Sequence, residues 1–172
     1  MTFRLAIIPL AFTCVLVGCS KTEAPRASAA DIIEVELSKV PQSVIDVVKA
    51  EQAEFQMNEV LKKVRDGRVY YDVEGKLANG DEIEFDVLMT TAGPEIVEIQ
   101  RDIIWTEVPQ NARAVVDSAN ADSLKITRII ESLQTDKSII YEVFVAEQSA
   151  DPRFEVRLKD GQVNLLPSRW QH

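Results

Sequence analysis

The sequence predicts an α+β fold made of two repeated units, each with one helix packed on an antiparallel sheet of about four strands. Three observations support this prediction. They are a strand pattern with a period of two over residues 68–86, an amphipathic helix pattern before it, and the return of the helix pattern 68 positions later. The composition, 46% hydrophobic and 27% charged, is that of a globular protein with a buried core.

The first eighteen residues have the features of a bacterial signal peptide. Arg4 supplies a positive charge, and residues 5–17 form an apolar run too short to span a bilayer. The run ends in LVGC at residues 16–19, which resembles the lipobox of bacterial lipoproteins. The resemblance implies cleavage before Cys19, acyl chains on Cys19 and, because Ser20 follows rather than Asp, transfer to the outer membrane. A plain secretory signal that contains Cys19 by chance is the alternative.

Residues 19–30, the lipidated cysteine and a small polar segment, are predicted to form a flexible tether between membrane and domain. Acyl chains attach the protein to a membrane that it does not cross. Cleavage removes Cys14 and lipidation occupies Cys19, so no cysteine remains for a disulfide bond or a zinc site.

Residues 68–89 alternate between apolar and polar side chains on both sides of Asn79-Gly80. This pattern is the strongest local indication of a β-hairpin, because a type I′ turn needs positive φ at both of its central residues. One face of the predicted hairpin is apolar and the other is acidic. The apolar face therefore requires a cover.

Two matching segments predict the helices that supply this cover. The triplet VPQ occurs at residues 40–42 and again at residues 108–110, and each copy is followed by aliphatic residues three and four positions apart. Proline suits the first position of a helix, and this spacing places the aliphatic side chains on one stripe.

Each predicted helix is followed by a similar series of strands and turns. The first series comprises residues 60–65, the hairpin and residues 95–104; the second comprises residues 125–133, 139–145, 154–159 and 163–165. We assign the first unit to residues 31–102 and the second to residues 103–172. Each unit is close to the size at which a single core is marginal, so we expect the two units to pack on each other.

Several motifs in these units resemble a known family. They are the helices that begin at Val-Pro, YDVEG at residues 71–75 and IEFDV at residues 83–87, with YEV at 141–143, FEV at 154–156 and Asp160-Gly161 in the second copy. Together they resemble the PepSY or PepSY-like domain of bacterial envelope proteins, over nearly all of residues 36–166. The resemblance implies a helix packed on an antiparallel sheet, and a link to the inhibition or regulation of secreted peptidases. It implies no catalytic residues.

The sequence contains no recognisable catalytic constellation, so we do not expect an enzyme. The only histidine, His172, is the last residue, and a catalytic triad or histidine metal site would need that terminus to be held in place. The chain has no glycine-rich phosphate loop and no His/Cys ligand pattern for zinc. We therefore expect no cofactor and no metal. The net charge of −9 argues against nucleic acid as a partner.

Acidic residues are concentrated in the first unit, which has 17 acidic and 8 basic side chains against 10 and 8 in the second. The candidate partner-binding residues share one face of the hairpin: Asp72, Glu74, Glu82, Glu84, Asp86 and Tyr70. We expect the acids to point to solvent, either as a solubilising face or as a contact for a basic partner or for weakly bound calcium.

Three apolar residues fall on the otherwise polar strand faces: Tyr70, Ile140 and Phe144. They are expected either between the two units, which is the better interpretation, or in an exposed binding patch. Trp170, just after Pro167, is expected to dock on the sheet.

These observations lead to two functional hypotheses. The first is a lipid-anchored protein of the bacterial envelope, facing the periplasm, that binds or regulates an envelope protein, with a peptidase as one candidate. The alternative is a periplasmic protein that binds a small ligand or a cation on its acidic sheet surface. The first predicts a stable complex with an envelope protein, and the second predicts a rise in melting temperature with ligand.

Overall fold

The computed structural model describes residues 31–170, which form two α-helices and one nine-stranded antiparallel sheet. The helices are α1 (Gln42–Glu51) and α2 (Gln110–Ala119), and the strands are β1 (Asp31–Glu34), β2 (Gln56–Arg65), β3 (Arg68–Lys76), β4 (Glu82–Thr90), β5 (Gly93–Asp102), β6 (Ile126–Gln134), β7 (Ile139–Val145), β8 (Phe154–Lys159) and β9 (Gln162–Leu165). The strands lie in the sheet in chain order, each paired with the next. The predicted α+β class is confirmed.

The order of elements matches the predicted repeat, because each helix is followed by four strands. The two halves join edge to edge through the pairing of β5 with β6, so that one sheet runs through both. The strand β1, which pairs with the outer edge of β2, was not predicted. Its four residues are too few for a period-two pattern to stand out from the preceding polar segment.

Both helices pack on the same face of the sheet, where each covers its own core. Val44 and Val48 of α1 are buried with residues of β2, β3 and β4, including Phe55 and Phe85, whose rings meet edge to face at 5.1 Å. Ala112 and Val116 of α2 are buried with the corresponding residues of β6, β7 and β8. The predicted helix stripes therefore cover the apolar face of the strands, as amphipathic packing requires.

The hairpin of β3 and β4 is confirmed, but its turn is not of type I′. Gly80 has a φ of +91°, whereas the φ of Asn79 is not positive. The loop is closed by the Leu77 N–H, which donates to the Asp81 carbonyl oxygen, and by the Asn79 side chain, which accepts from the Asp81 N–H. An Asx turn has replaced the two-residue turn that Asn-Gly suggested.

The predicted signal peptide, Cys19, the predicted tether and His172 lie outside the described residues. No helix within residues 31–170 is long and apolar enough to cross a membrane.

Candidate functional site

The candidate site lies on the sheet face opposite the helices, which we call the helix-free face. Within residues 31–170 both helices lie on the other side, yet several polar side chains on the helix-free face are buried. They are Asp72, Asp86, Glu98, Ser132, Gln134 and Glu155. A sheet face exposed to water ordinarily carries solvated polar groups. Burial of carboxylates here requires compensating partners.

The expectation that the acids of β3 and β4 all point to solvent is wrong for two of them. Asp72 and Asp86 are only 1% and 6% exposed. Glu84 is half-buried, whereas Glu74 and Glu82 are exposed as predicted. The central strands of a wide sheet have neighbours on both sides, and long side chains on those neighbours cover short carboxylates. The alternation of polar and apolar residues shows which face of the sheet a side chain is on, but not which neighbouring side chains bury it.

The acids of β3 and β4 oppose one another directly. Asp72 pairs across the strands with Asp86, and Glu74 pairs with Glu84. Directly opposed like charges destabilise a sheet, and two features offset the repulsion. The Lys63 ammonium forms an ion pair with the Asp72 carboxylate. Burial, followed by the charge of Asp86, raises the pKa of Glu84 to about 8, so Glu84 is protonated at neutral pH and hydrogen-bonds with Asp86.

This arrangement brings one carboxylate oxygen from each of Asp72, Glu84 and Asp86 within 4.8 Å of one another. Three convergent carboxylate oxygens are a ligand set that Ca²⁺ accepts. The sequence assigned no metal ligands, although the alternating acids of two paired strands were visible. What it lacked was the register that places Asp72 opposite Asp86.

An open groove of about 230 Å³ lies beside the acid cluster. Its walls carry acids from four strands, together with Gln100 and two arginines. The lining residues are Asn58, Glu59, Glu74, Gly75, Glu82, Ile83, Glu84, Gln100, Arg101, Asp102, Arg128 and Ile130. Arg101 is already paired with Glu131 at 2.8 Å. Arg128 is already bonded to Asp102 at 2.7 Å. The exposed acids at the rim therefore present negative charge to an approaching partner.

Tyr70 lies on the helix-free face but not between the halves. It is buried in a small cluster with Leu88 and Val97, all within the first half. The guanidinium groups of Arg65 and Arg68 stand 5.3 and 5.2 Å from its ring centroid. The preferred interpretation, contact between the units, is therefore wrong, and the exposed patch is wrong as well. The halves meet edge to edge, so the part of the chain that the structure describes has no second sheet to cover this residue.

Within residues 31–170, Ile140 and Phe144, like Tyr70, are buried without contact between two packed sheets. Both are buried on the helix-free face of the second half, and the Arg128 guanidinium stands 5.6 Å from the Phe144 ring centroid. The rings of Tyr70 and Phe144 thus each lie beside arginine side chains of their own half.

The second half repeats the opposed acid pair of the first. Glu142 on β7 lies directly opposite Glu155 on β8. The two glutamates stand in the motifs YEV and FEV, where Asp72 and Asp86 stand in YDV and FDV. Burial, followed by the charges of Glu98 and Glu155, raises the pKa of Glu142 to about 7. Sequence reasoning noticed these motifs but did not select the second pair, although the repeat pointed to it.

A hydrogen-bonded group on β5 and β6 joins the two acid pairs. Glu98 accepts hydrogen bonds from the Ser132 hydroxyl and from the Gln134 amide, the latter at 2.6 Å, and the Gln134 amide also lies 2.8 Å from the Ser132 oxygen. Glu98 faces Asp86 across the strands on one side and Gln134 on the other. Buried polar groups therefore extend across the helix-free face from β3 to β8.

Comparison with known proteins does not identify the chain. No protein-family model matches it, and no curated protein matches it.

Proposed function

We propose that this chain is a bacterial envelope lipoprotein with two PepSY-like repeats, which acts by binding a basic segment of another envelope protein. Cys19 carries the lipid, the tether of residues 19–30 separates the membrane from the domain, and the domain faces the periplasm at the outer membrane. The helix-free face of the sheet is the binding surface. The role is recognition rather than catalysis.

The observation that carries this proposal is the row of buried carboxylates beside an open acidic groove. A sheet selected only for stability would place apolar or fully solvated residues on this face, since a buried carboxylate costs free energy unless it is paired. Glu84 is kept protonated beside Asp86 at neutral pH. A cationic side chain entering the groove would favour the ionised form of Glu84, so the face gains free energy from a basic ligand.

Two separate arguments indicate what kind of protein the partner is. The rim charges favour a basic protein segment. The PepSY resemblance implies a link to secreted peptidases, so a peptidase with a basic surface segment is the first partner to examine.

The proposal is tested by reversing two exposed rim charges. Lipid-free chain is immobilised and exposed to a detergent extract of the native envelope. Captured proteins are identified by mass spectrometry. Glu74→Lys with Glu82→Lys should lower capture of the partner at least tenfold. The matched control is Glu51→Lys with Glu54→Lys, which changes the net charge equally at exposed positions near the end of α1.

The two outcomes have different consequences. Loss of capture with the rim variant alone supports the groove as the contact. Equal capture by both variants and the unchanged chain excludes the groove. The anchor is tested separately, because Cys19→Ser should release the domain from the membrane fraction in cells, whereas retention there would contradict lipidation.

A cation is the second candidate ligand, favoured by the three carboxylate oxygens within 4.8 Å of one another. Lys63 already pairs with Asp72 and competes with an added ion. If the site takes Ca²⁺, the melting temperature should rise with calcium in the unchanged chain and stay constant in Glu84→Gln. A melting temperature insensitive to millimolar calcium excludes this candidate.

A further inference from the structure

The C-terminal tail, residues 166–170, turns back over the helix-free face of the second half. The Leu166 N–H donates to the Glu155 carbonyl oxygen at 2.8 Å, where the chain leaves β9. The Trp170 backbone N–H donates to the Glu155 carboxylate, and its indole N–H donates to the Gln134 side-chain oxygen at 2.9 Å. The Arg157 guanidinium stands 5.1 Å from the Trp170 ring centroid. We call Gln134, Glu155 and Arg157 the tail seat.

The seat surrounds one buried apolar residue with polar groups, because Ile140 lies directly opposite Ser132 on one side and Arg157 on the other. Glu155 and Gln134 are 6% and 5% exposed, and Glu98 and Ser132 behind Gln134 are 3% and 0% exposed. An apolar surface would hold an aromatic residue by area alone. A polar surface instead holds it by matched donors and acceptors, and therefore selects what binds.

The tail also supplies positive charge to the opposed acid pair of the second half. The pKa values of Glu142 and Glu155 are both raised by burial, and the Arg169 guanidinium lowers both. The seat is therefore matched to a segment that carries an indole donor next to a basic residue.

Between Leu166 and Trp170, which make the contacts with the sheet, the tail is exposed. Pro167, Ser168 and Arg169 are exposed. The Arg169–Asp151 ion pair has side chains that are each 59% exposed, and pairs of this kind contribute little in water. A segment of similar chemistry from another protein could therefore replace the tail with little loss.

We propose that the tail seat is a binding site for a partner segment with a basic residue followed by an aromatic residue, and that residues 166–170 occupy it in cis as a competitor. The inference rests on the proposed function, since it assumes that the helix-free face binds protein segments. It adds the location of a second contact, the chemistry of the ligand and a means of restraining the interaction.

The test uses a fluorescent peptide with the sequence of residues 165–170, added in trans to the full chain. Trp170→Ala empties the seat and should lower the Kd of the peptide at least tenfold relative to the unchanged chain. Trp170→Phe, which keeps the ring over Arg157 and removes only the indole donor, should give a smaller decrease. The control peptide has alanine in place of tryptophan and should bind none of the three chains.

Gln134→Ala, added to Trp170→Ala, should weaken peptide binding roughly fivefold, because the indole loses its acceptor. Thermal melts and circular dichroism establish that each variant is folded, and Trp170→Phe remains available if Trp170→Ala is not. Equal peptide affinity for the unchanged chain and for the folded Trp170 variants would overturn the proposal.

This result is separable from the test of the groove. Failure of the peptide to bind, together with loss of partner capture in the Glu74 and Glu82 variant, would reject the tail seat and leave the proposed function intact. Peptide binding with undiminished capture by that variant would support the seat and reject the groove.

Discussion

Glu84→Gln should change how the stability of the protein depends on pH. Glu84 lies beside Asp86 on the helix-free face, and its carboxyl has a pKa of about 8 against 4.5 when unperturbed. Between these values the folded chain keeps a proton that the unfolded chain has lost. Stability therefore falls as pH rises from about 5 to about 8, and the protonated side chain contributes fully only below that window.

The magnitude follows from the difference between the two pKa values. A separation of about 3.5 pH units corresponds to roughly 5 kcal/mol at most, at about 1.4 kcal/mol per unit. Glu84 interacts with Asp86 through charge and a hydrogen bond, so part of the dependence persists when Glu84 is replaced. We expect Glu84→Gln to remove roughly 2–4 kcal/mol of the decline, and to be more stable than the unchanged chain at pH 8 and above.

Urea unfolding at half-unit steps from pH 4.5 to pH 9 measures this difference directly. Glu142, with a pKa of about 7, adds a decline of the same sign to both chains, and subtracting one curve from the other cancels it. Glu82→Gln is the matched control, because Glu82 is exposed on the same strand and should follow the unchanged chain. Parallel curves for Glu84→Gln and the unchanged chain would refute the reasoning.

Two further sets of substitutions test the packing. Gly75→Ala should destabilise the fold by roughly 3 kcal/mol, because the added Cβ would collide with the Gln56 carbonyl oxygen and the Phe55 ring, and urea unfolding measures the loss. Gly67→Ala, where the added Cβ meets nothing within 4 Å but φ is +74°, should lose only the backbone strain of about 1 kcal/mol, and an equal loss at both positions would contradict the collision. Val48→Ala and Val116→Ala should each cost about 2 kcal/mol in unfolding experiments, since both are buried at equivalent places in the two helices, and unequal losses would contradict equivalent cores.

The sequence predicted the main elements of the fold because its signals were local. The pattern of the first helix returns 68 positions later in the second, and the strands that follow each helix keep a period of two. The order of helices and strands could therefore be predicted. The joining of β5 to β6 could not, because pairing at a sheet edge depends on contacts between residues about 30 positions apart. A short edge strand such as β1 gains its structure from its neighbour rather than from its own pattern.

The sequence predicted which residues form the candidate site but not that several of them are buried. The acids of β3 and β4 were identified correctly as sharing one face with Tyr70. Their burial was not foreseen, because it depends on which side chains of adjoining strands lie over them. Lys63 is an example, since its pairing with Asp72 is set by the register of β2 with β3. The tail seat combines Trp170 with Gln134, 36 positions away, which no local pattern reveals.

The two halves neutralise the same opposed acid pair by different means, and this difference leads to the last prediction. In the first half, Lys63 lies on a strand within the sheet, whereas in the second half the larger positive influence on Glu142 comes from Arg169 on the exposed tail and the smaller from Arg128 on β6. Arg169→Gln should therefore raise the pKa of Glu142 above about 7 and leave that of Glu84 unchanged. Carboxyl ¹³C NMR titration of both glutamates measures this. An unchanged pKa of Glu142 in this variant would mean that the charge of Arg169 does not stabilise the acid pair of the second half.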